Sequence, residues 1–444
     1  VTPAARLAAA IEALAAIEQD NRPADRVLSS YLRARRYIGA KDRHAISHQV
    51  YAVLRRRARI DWTIMTAGNG LPLDARSRAL TSLALDGAAA IVIEPADDDR
   101  HAPPALDRRE RQFVASVAAG AAAEQADNVP DFVRLECPEW ILPMLRADLG
   151  ADVADAVLDG LRGEAAMDLR VSTSKVPRSR IRTVLGRAGI EVMPTALSPR
   201  GLRAEERRPI DGLPAFKAGH FEVQDEGSQI AAALVGAAPG MQVVDFCAGA
   251  GGKTLAMAET MANKGRILAV DISANRIKRL SQRLKRAGYD NVEPRLIEHE
   301  RDRSLKSGKR KFDRVLVDAP CTGTGTWRRN PDARWRYGPS DLQEITVRQG
   351  SILEAAARMV KPGGRLVYVT CSILAAENEA VVAAFQNYHE DFEIVPIAEV
   401  WAETLGVDGV ECPTVQPMLR LSPDRHGTDG FFVAVLQQRD KPPS

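Results

Sequence analysis

Cysteine is scarce, at five in 444 residues. That excludes a disulfide-stapled scaffold and points to a cytoplasmic protein. Long apolar runs are missing too. The most apolar early stretch, around Leu83 to Val92, carries Asp86 and is too short to cross a bilayer. The N-terminus places Arg6 and Glu12 in an alanine-rich helical pattern, unlike a secretory leader. There is no internal repeat, and no low-complexity segment beyond Lys441-Pro442-Pro443-Ser444. What remains, 45% hydrophobic and 27% charged, is the composition of a folded chain of two or three domains. A monomer without membrane or metal partners is expected.

Lysine is sparse as well, supplying only 12 of the 61 basic residues. The arginines bring a permanent charge and a planar fork suited to phosphate. A net charge of +3 hides two basic stretches. Residues 26–59 hold ten Arg or Lys against Asp42, and residues 301–336 hold eleven basic against four acidic residues. Two such stripes on a nearly neutral chain suggest a polyanion, although solvated helix faces give the same pattern.

The first 128 residues read as helical. Ile46, Val50, Val53 and Leu54 share a helix face, and the arginines at 55, 56, 57 and 59 extend that helix's last turn. A loop is expected at 95–107, and the alanine-rich run Val117 to Ala126 leads to a boundary at Asn128-Val129-Pro130. A small α/β segment follows over 138–222, with a helix after Trp140 and a strand at Asp168–Ser172. From 223 to 440 strands and helices alternate, with apolar runs at Gln242–Phe246, Arg266–Val270, Phe312–Val317, Arg365–Thr370 and Phe431–Leu436. This predicts a doubly wound α/β domain with a mostly parallel sheet.

The first of these strands runs into Cys247-Ala248-Gly249-Ala250-Gly251-Gly252-Lys253-Thr254, and a helix opens there. Glycines let the backbone approach a ligand, and the helix N-terminus adds free amides. The next strand ends at Asp271, twenty residues after Gly251, where an acid can accept ribose hydroxyls. Neither the dinucleotide G-x-G-x-x-G nor the P-loop spacing is present, so Lys253-Thr254 is not a Walker pair. An adenosine cofactor without pyrophosphate fits better, and S-adenosyl-L-methionine is the obvious one. A plain turn with a surface acid is the alternative.

Two cysteines sit just past strand ends, in Asp318-Ala319-Pro320-Cys321 and in Thr370-Cys371-Ser372. That edge of an open α/β sheet is where ligands bind. Most free cysteines are small buried hydrophobes, and Cys137, Cys247 and Cys412 are read so. His44 and His48 have no third ligand, and no C-x-x-C pair occurs, so they read as ordinary helix residues. A methyl donor, an acid and a thiolate in one cleft suit carbon 5 of a pyrimidine. Thiolate addition at carbon 6 turns carbon 5 into a nucleophile, Asp318 holds the ring, and a base later removes the carbon 5 proton.

These residues resemble the RsmB-type (Sun/Fmu) family of RNA 5-methylcytosine methyltransferases. The likeness continues through Val223-Gln224-Asp225-Glu226-Gly227-Ser228-Gln229, Arg329-Asn330-Pro331-Asp332-Ala333-Arg334-Trp335, Glu377-Asn378-Glu379 and His426-Gly427-Thr428-Asp429-Gly430-Phe431-Phe432. It implies a Rossmann-like methyltransferase domain preceded by a NusB-like helical domain, the latter on Lys41-Asp42-Arg43 and the helix after it. It implies Cys371 as nucleophile, Cys321 as the thiol that assists release, and Asp318 on the cytosine. Asp271 is implied to hold the ribose and the backbone of 247–252 the methionine end, with Arg276 and Glu298 (Asp302 as fallback) also at the cofactor. Lys253 is implied to touch substrate or cofactor. Ala250 stands where the family usually has proline, which suggests a looser turn. Arg328, Arg334 and Arg336 are expected on RNA, with Trp327 and Trp335 beside them either stacking a base or packing inside. Ribosomal small-subunit RNA is the expected target; tRNA, DNA with Cys321 as nucleophile, and a non-catalytic RNA-binding assembly factor are the alternatives.

Overall fold

Strand-forming residues of the later half face two ways at once. Val244, Leu268, Val315 and Leu366 bury against one layer of helices, while Val243, Ile267, Leu316 and Val367 bury against the other. Strands covered on both sides read as continuous apolar runs, which is why the sequence pattern was strong there. The computed structural model describes residues 2–20, 22–90, 101–120 and 128–440. The loop expected at 95–107, the alanine-rich run to Ala126 and the Lys441–Ser444 tail fall partly or wholly outside them.

The chain divides into two compact units, one of residues 1–163 with 327–338, the other of 164–326 with 339–444. The second unit begins with a small antiparallel sheet. Its strands are β1 (Met167–Val171), β2 (Met193–Pro194), β3 (Gly201–Ala204) and β4 (Phe221–Val223), in the order β2-β3-β1-β4. The large sheet follows, from β5 (Gln242–Asp245), β6 (Arg266–Asp271), β7 (Val292–Leu296), β8 (Phe312–Asp318), β9 (Val360–Thr370), β10 (Phe392–Ile394), β11 (Leu419–Leu421) and β12 (Phe431–Gln438). Its order is β10-β12-β9-β8-β5-β6-β7, with β11 pairing to β12. Strands β7, β6, β5, β8 and β9 are parallel, and β12 is antiparallel to β9. Strand order reverses between β5 and β8, so a ligand crevice belongs at their carboxyl ends.

The first unit is helical. Ile46, Val50, Val53 and Leu54 are buried on the helix Ala40–Arg55, packed with Leu7, Leu14 and Leu80. The arginines after them do not extend this helix as expected. It ends at Arg55, and a new helix, Arg57–Ala67, starts two residues later. The cause is remote in sequence: the buried Glu136 carboxylate accepts the amides of Ala58 and Arg59 at 2.9 and 3.1 Å and caps the second helix. The helix after Trp140, Ile141–Leu149, lies in this unit.

Candidate active site

The turn after β5 is shaped by two glycines with positive φ, Gly249 (57°) and Gly251 (85°). A Cβ on Gly251 would lie 2.2 Å from the Leu280 side chain, and its left-handed backbone favours glycine there. Arg283 donates to the Ala250 carbonyl at 2.8 Å, which pins the turn despite the missing proline. Asp271, buried at the end of β6, accepts the Gly249 amide at 3.0 Å and the Ser273 amide at 2.8 Å. Arg276, half-exposed, lies 3.5 Å from the same carboxylate. Each carboxylate oxygen retains a second acceptor position, so this donor and acceptor set fits an adenosine-bearing cofactor. Ile272, next to Asp271, is exposed and leaves an apolar side chain at the same edge.

The third strand of the parallel series places Glu298 at the same edge, where Ile297 donates its amide to the Asp271 carbonyl. The Glu298 side chain is exposed. Asp302 is otherwise engaged: it accepts the amides of Glu298 and Ser304, which hold its pKa down at about 2. Of the two acids, Glu298 is the one left facing outward.

Lys253, almost fully buried, donates to Asp318 Oδ2 at 2.8 Å. Burial alone would lower its pKa, but Asp318 beside it, with Cys371 and Asp245 nearby, raises it instead. Asp245 lies beneath, accepting the Thr254 hydroxyl at 2.6 Å, and burial lifts its pKa to about 7. The half-buried Cys247 thiol is pushed well above its usual pKa by desolvation and by the surrounding carboxylates Asp318, Asp245 and Asp271.

Strands β8 and β9 are neighbours, and their loops bring Cys321 Sγ and Cys371 Sγ to 3.3 Å. Contact with Cys371, then burial, pushes the Cys321 thiol well up. The two loops are joined by Glu377, which lies wholly inside. It accepts the amide and hydroxyl of Thr322, the Ser372 hydroxyl, and a Gln349 amide hydrogen at 3.1 Å. Gly325 donates to the Cys371 carbonyl at 2.9 Å, and Gly430 to the Gly325 carbonyl at 2.8 Å. The loop before β12 thereby joins the same assembly.

Residues 232–437 match the family described as 16S rRNA methyltransferase RsmB/F, and residues 137–211 match a ferredoxin-like domain described for RsmF/B-like methyltransferases. The probable ribosomal RNA small subunit methyltransferase B of Synechocystis is 31% identical over 325 residues, 71% of each chain. This chain belongs to the RsmB/F family of rRNA methyltransferases. S-adenosylmethionine is the methyl donor of that family. The probable ribosomal RNA small subunit methyltransferase B of Bacillus subtilis is 28% identical over 97% of this chain and 98% of its own. A solved methyltransferase homolog from Pyrococcus horikoshii superposes with TM-score 0.58 and 27% identity, over 69% of this chain and 97% of its own.

This RsmB/F chain departs from the expected RNA contacts. Arg334 is buried, 1% exposed, and its guanidinium donates to the carbonyls of Arg55 and Leu161. Both carbonyls close helix C-termini, so the cation caps two helices, and burial lowers its pKa to about 10. Enclosed in this way, it is out of reach of a phosphate, contrary to the expectation from its neighbours in sequence. Arg328 is buried too, its carbonyl receiving Arg55 at 2.8 Å. Arg336 pairs with Asp332 and remains partly exposed. Trp327 is buried, and Trp335 packs with Ala58, Trp62 and Val133, as core rather than stacking surface. Among the described residues, no helix is long and apolar enough to cross a membrane.

Proposed function

We propose that the chain methylates carbon 5 of a cytosine in 16S rRNA through a covalent thiolate adduct. The observation that carries this reading is the pair of sulfurs 3.3 Å apart beside the Lys253–Asp318 ion pair. Cys371 is the nucleophile that adds to carbon 6. Lys253 lies within its electrostatic reach. Asp318 accepts from the exocyclic amine of the cytosine, and a proton passed from the Lys253 ammonium through Asp318 to N3 offsets the negative charge that builds up on addition. S-adenosylmethionine, when bound against Asp271 and the 247–252 turn, supplies the methyl that carbon 5 takes up. Cys321, a thiol at rest, first gives its own proton to solvent once Cys371 is bonded to carbon; the resulting thiolate is then placed to take the carbon 5 proton as Cys371 leaves with the carbon 6 bonding pair.

The base must leave its stack to reach these sulfurs, at a cost of about a few kcal/mol that is least in loops. The test is transfer of labelled methyl to unmodified small-subunit RNA, followed by nucleoside analysis. 5-Methylcytidine is expected; a methylated product at any other atom would sink the thiolate mechanism.

A further inference from the structure

The second basic stretch does not stay together in the fold. Its later arginines lie in the helical unit, while Arg301 to Lys311 belong to the methyltransferase unit. There Arg303, Lys306, Lys309, Arg310 and Lys311 are all exposed around the short 3-10 turn Arg303–Gly308. The turn is pressed against the sheet: Leu305 is buried, and a Cβ on Gly308 would come within 2.8 Å of Met359 and 2.9 Å of Phe312. Its apolar side is thus fixed inward and its cations are left in solvent. Arg310 sits in the left-handed region (φ 55°), and its amide donates to the Arg358 carbonyl at 2.9 Å. That bond adds the exposed Arg358 from a separate segment to the cluster.

Nearby carboxylates are already committed. Asp302 caps the amides of Glu298 and Ser304, Glu293 pairs with Arg266 and Arg295, and Asp313 pairs with Lys361. Beside the cluster a groove of about 420 Å³ is walled in part by Arg266, Arg295, Lys311, Ser304 and Ser307. Guanidinium, ammonium and hydroxyl groups together are a donor set for phosphate.

We infer that this face binds backbone phosphates of the RNA at a distance from the target base; the inference rests on the RNA methyltransferase reading above. The groove includes Phe312, at the start of β8, and the catalytic Asp318 ends the same strand. Seven residues of strand span roughly 20 Å. A single nucleotide does not bridge that distance, whereas a folded RNA does. The surface therefore discriminates between a structured rRNA and a short fragment carrying the same cytosine.

The experiment compares the full chain with two triple variants, Lys306→Gln/Lys309→Gln/Lys311→Gln and the same positions changed to Arg. Binding to unmodified 16S rRNA is measured by filter retention over a series of salt concentrations. The glutamine variant is expected to bind at least tenfold more weakly at low salt. The slope of log affinity against log salt should become shallower by about 2 to 3. The arginine variant should keep the wild-type slope. Both should retain S-adenosylmethionine affinity and turnover on a short hairpin containing the target. An unchanged slope in the glutamine variant overturns the inference. An equal loss on the short hairpin also overturns it, since the lysines would then act at the target loop. Normal RNA binding with lost binding to an assembled subunit overturns it in favour of a protein partner. A wild-type chain that binds with the steep slope but transfers no methyl sinks the enzymatic reading and supports the surface.

Discussion

The carboxylate of Glu377 accepts both the amide of Thr322, at 2.8 Å, and its hydroxyl, at 2.5 Å, from fifty-five residues away. The same carboxylate takes the hydroxyl of Ser372, so one buried side chain ties the Cys321 loop to the Cys371 loop. Glu377→Gln replaces one acceptor oxygen with a donor and leaves at least one hydrogen bond unmade. A stability loss of about 1–3 kcal/mol is expected. Turnover should fall about tenfold or more as the sulfurs separate, with S-adenosylmethionine affinity little changed. Calorimetry and single-turnover kinetics read both; unchanged turnover would show that the thiols are positioned by other means.

The two thiols have separable failures. Cys371→Ala should abolish methyl transfer and adduct formation. Cys321→Ala should form the adduct and fail to release it, giving an RNA–protein band that survives denaturing electrophoresis. Full turnover by Cys371→Ala reverses the assignment.

Lys253 and Asp318 act as a pair, so their losses should not add. Lys253→Met and Asp318→Asn are each expected to lower kcat/KM by about two orders of magnitude. The double variant should be scarcely worse than the more damaged single one. Strictly additive losses would mean that the ion pair is incidental.

Asp245 sets a pH dependence. Its folded pKa of about 7 lies above the unfolded value, so the fold favours the neutral carboxyl. That contribution is complete below pH of about 4 and is lost as pH rises through about 7. Asp245→Asn should flatten the decline in thermal stability between pH 5 and pH 8. A decline identical to wild type would place its cause elsewhere.

Arg334→Met tests the helix-capping role. It leaves carbonyls of two helix ends without their buried donor, and a loss of about 2–4 kcal/mol is expected. The salt dependence of RNA binding should not change. A shallower slope would return Arg334 to the RNA interface.

Much of the methyltransferase unit was legible because its signals are local. A glycine turn between a buried strand and a helix, an acid at the next strand end, and cysteines just past two others each occupy a few consecutive residues. What escaped depends on partners far away in the chain. Nothing near Arg57 announces that Glu136 will cap the helix beginning there, seventy-eight residues before it. Arg334 carries the composition of an RNA contact, and its burial is explained only by the ends of two helices that end near Arg55 and Leu161. Glu377 stood in a recognisable Glu-Asn-Glu pattern, yet its work as a brace appears only when β8 and β9 lie side by side.

Strand β12 lies between β9 and β10, although it is the last strand in the chain, and Gly430 at its entrance packs directly on Gly325. During synthesis the edge strand β10 therefore has no neighbour to pair with until residues 431–438 have emerged. The loop carrying Cys321 lacks its Gly430 contact for the same interval.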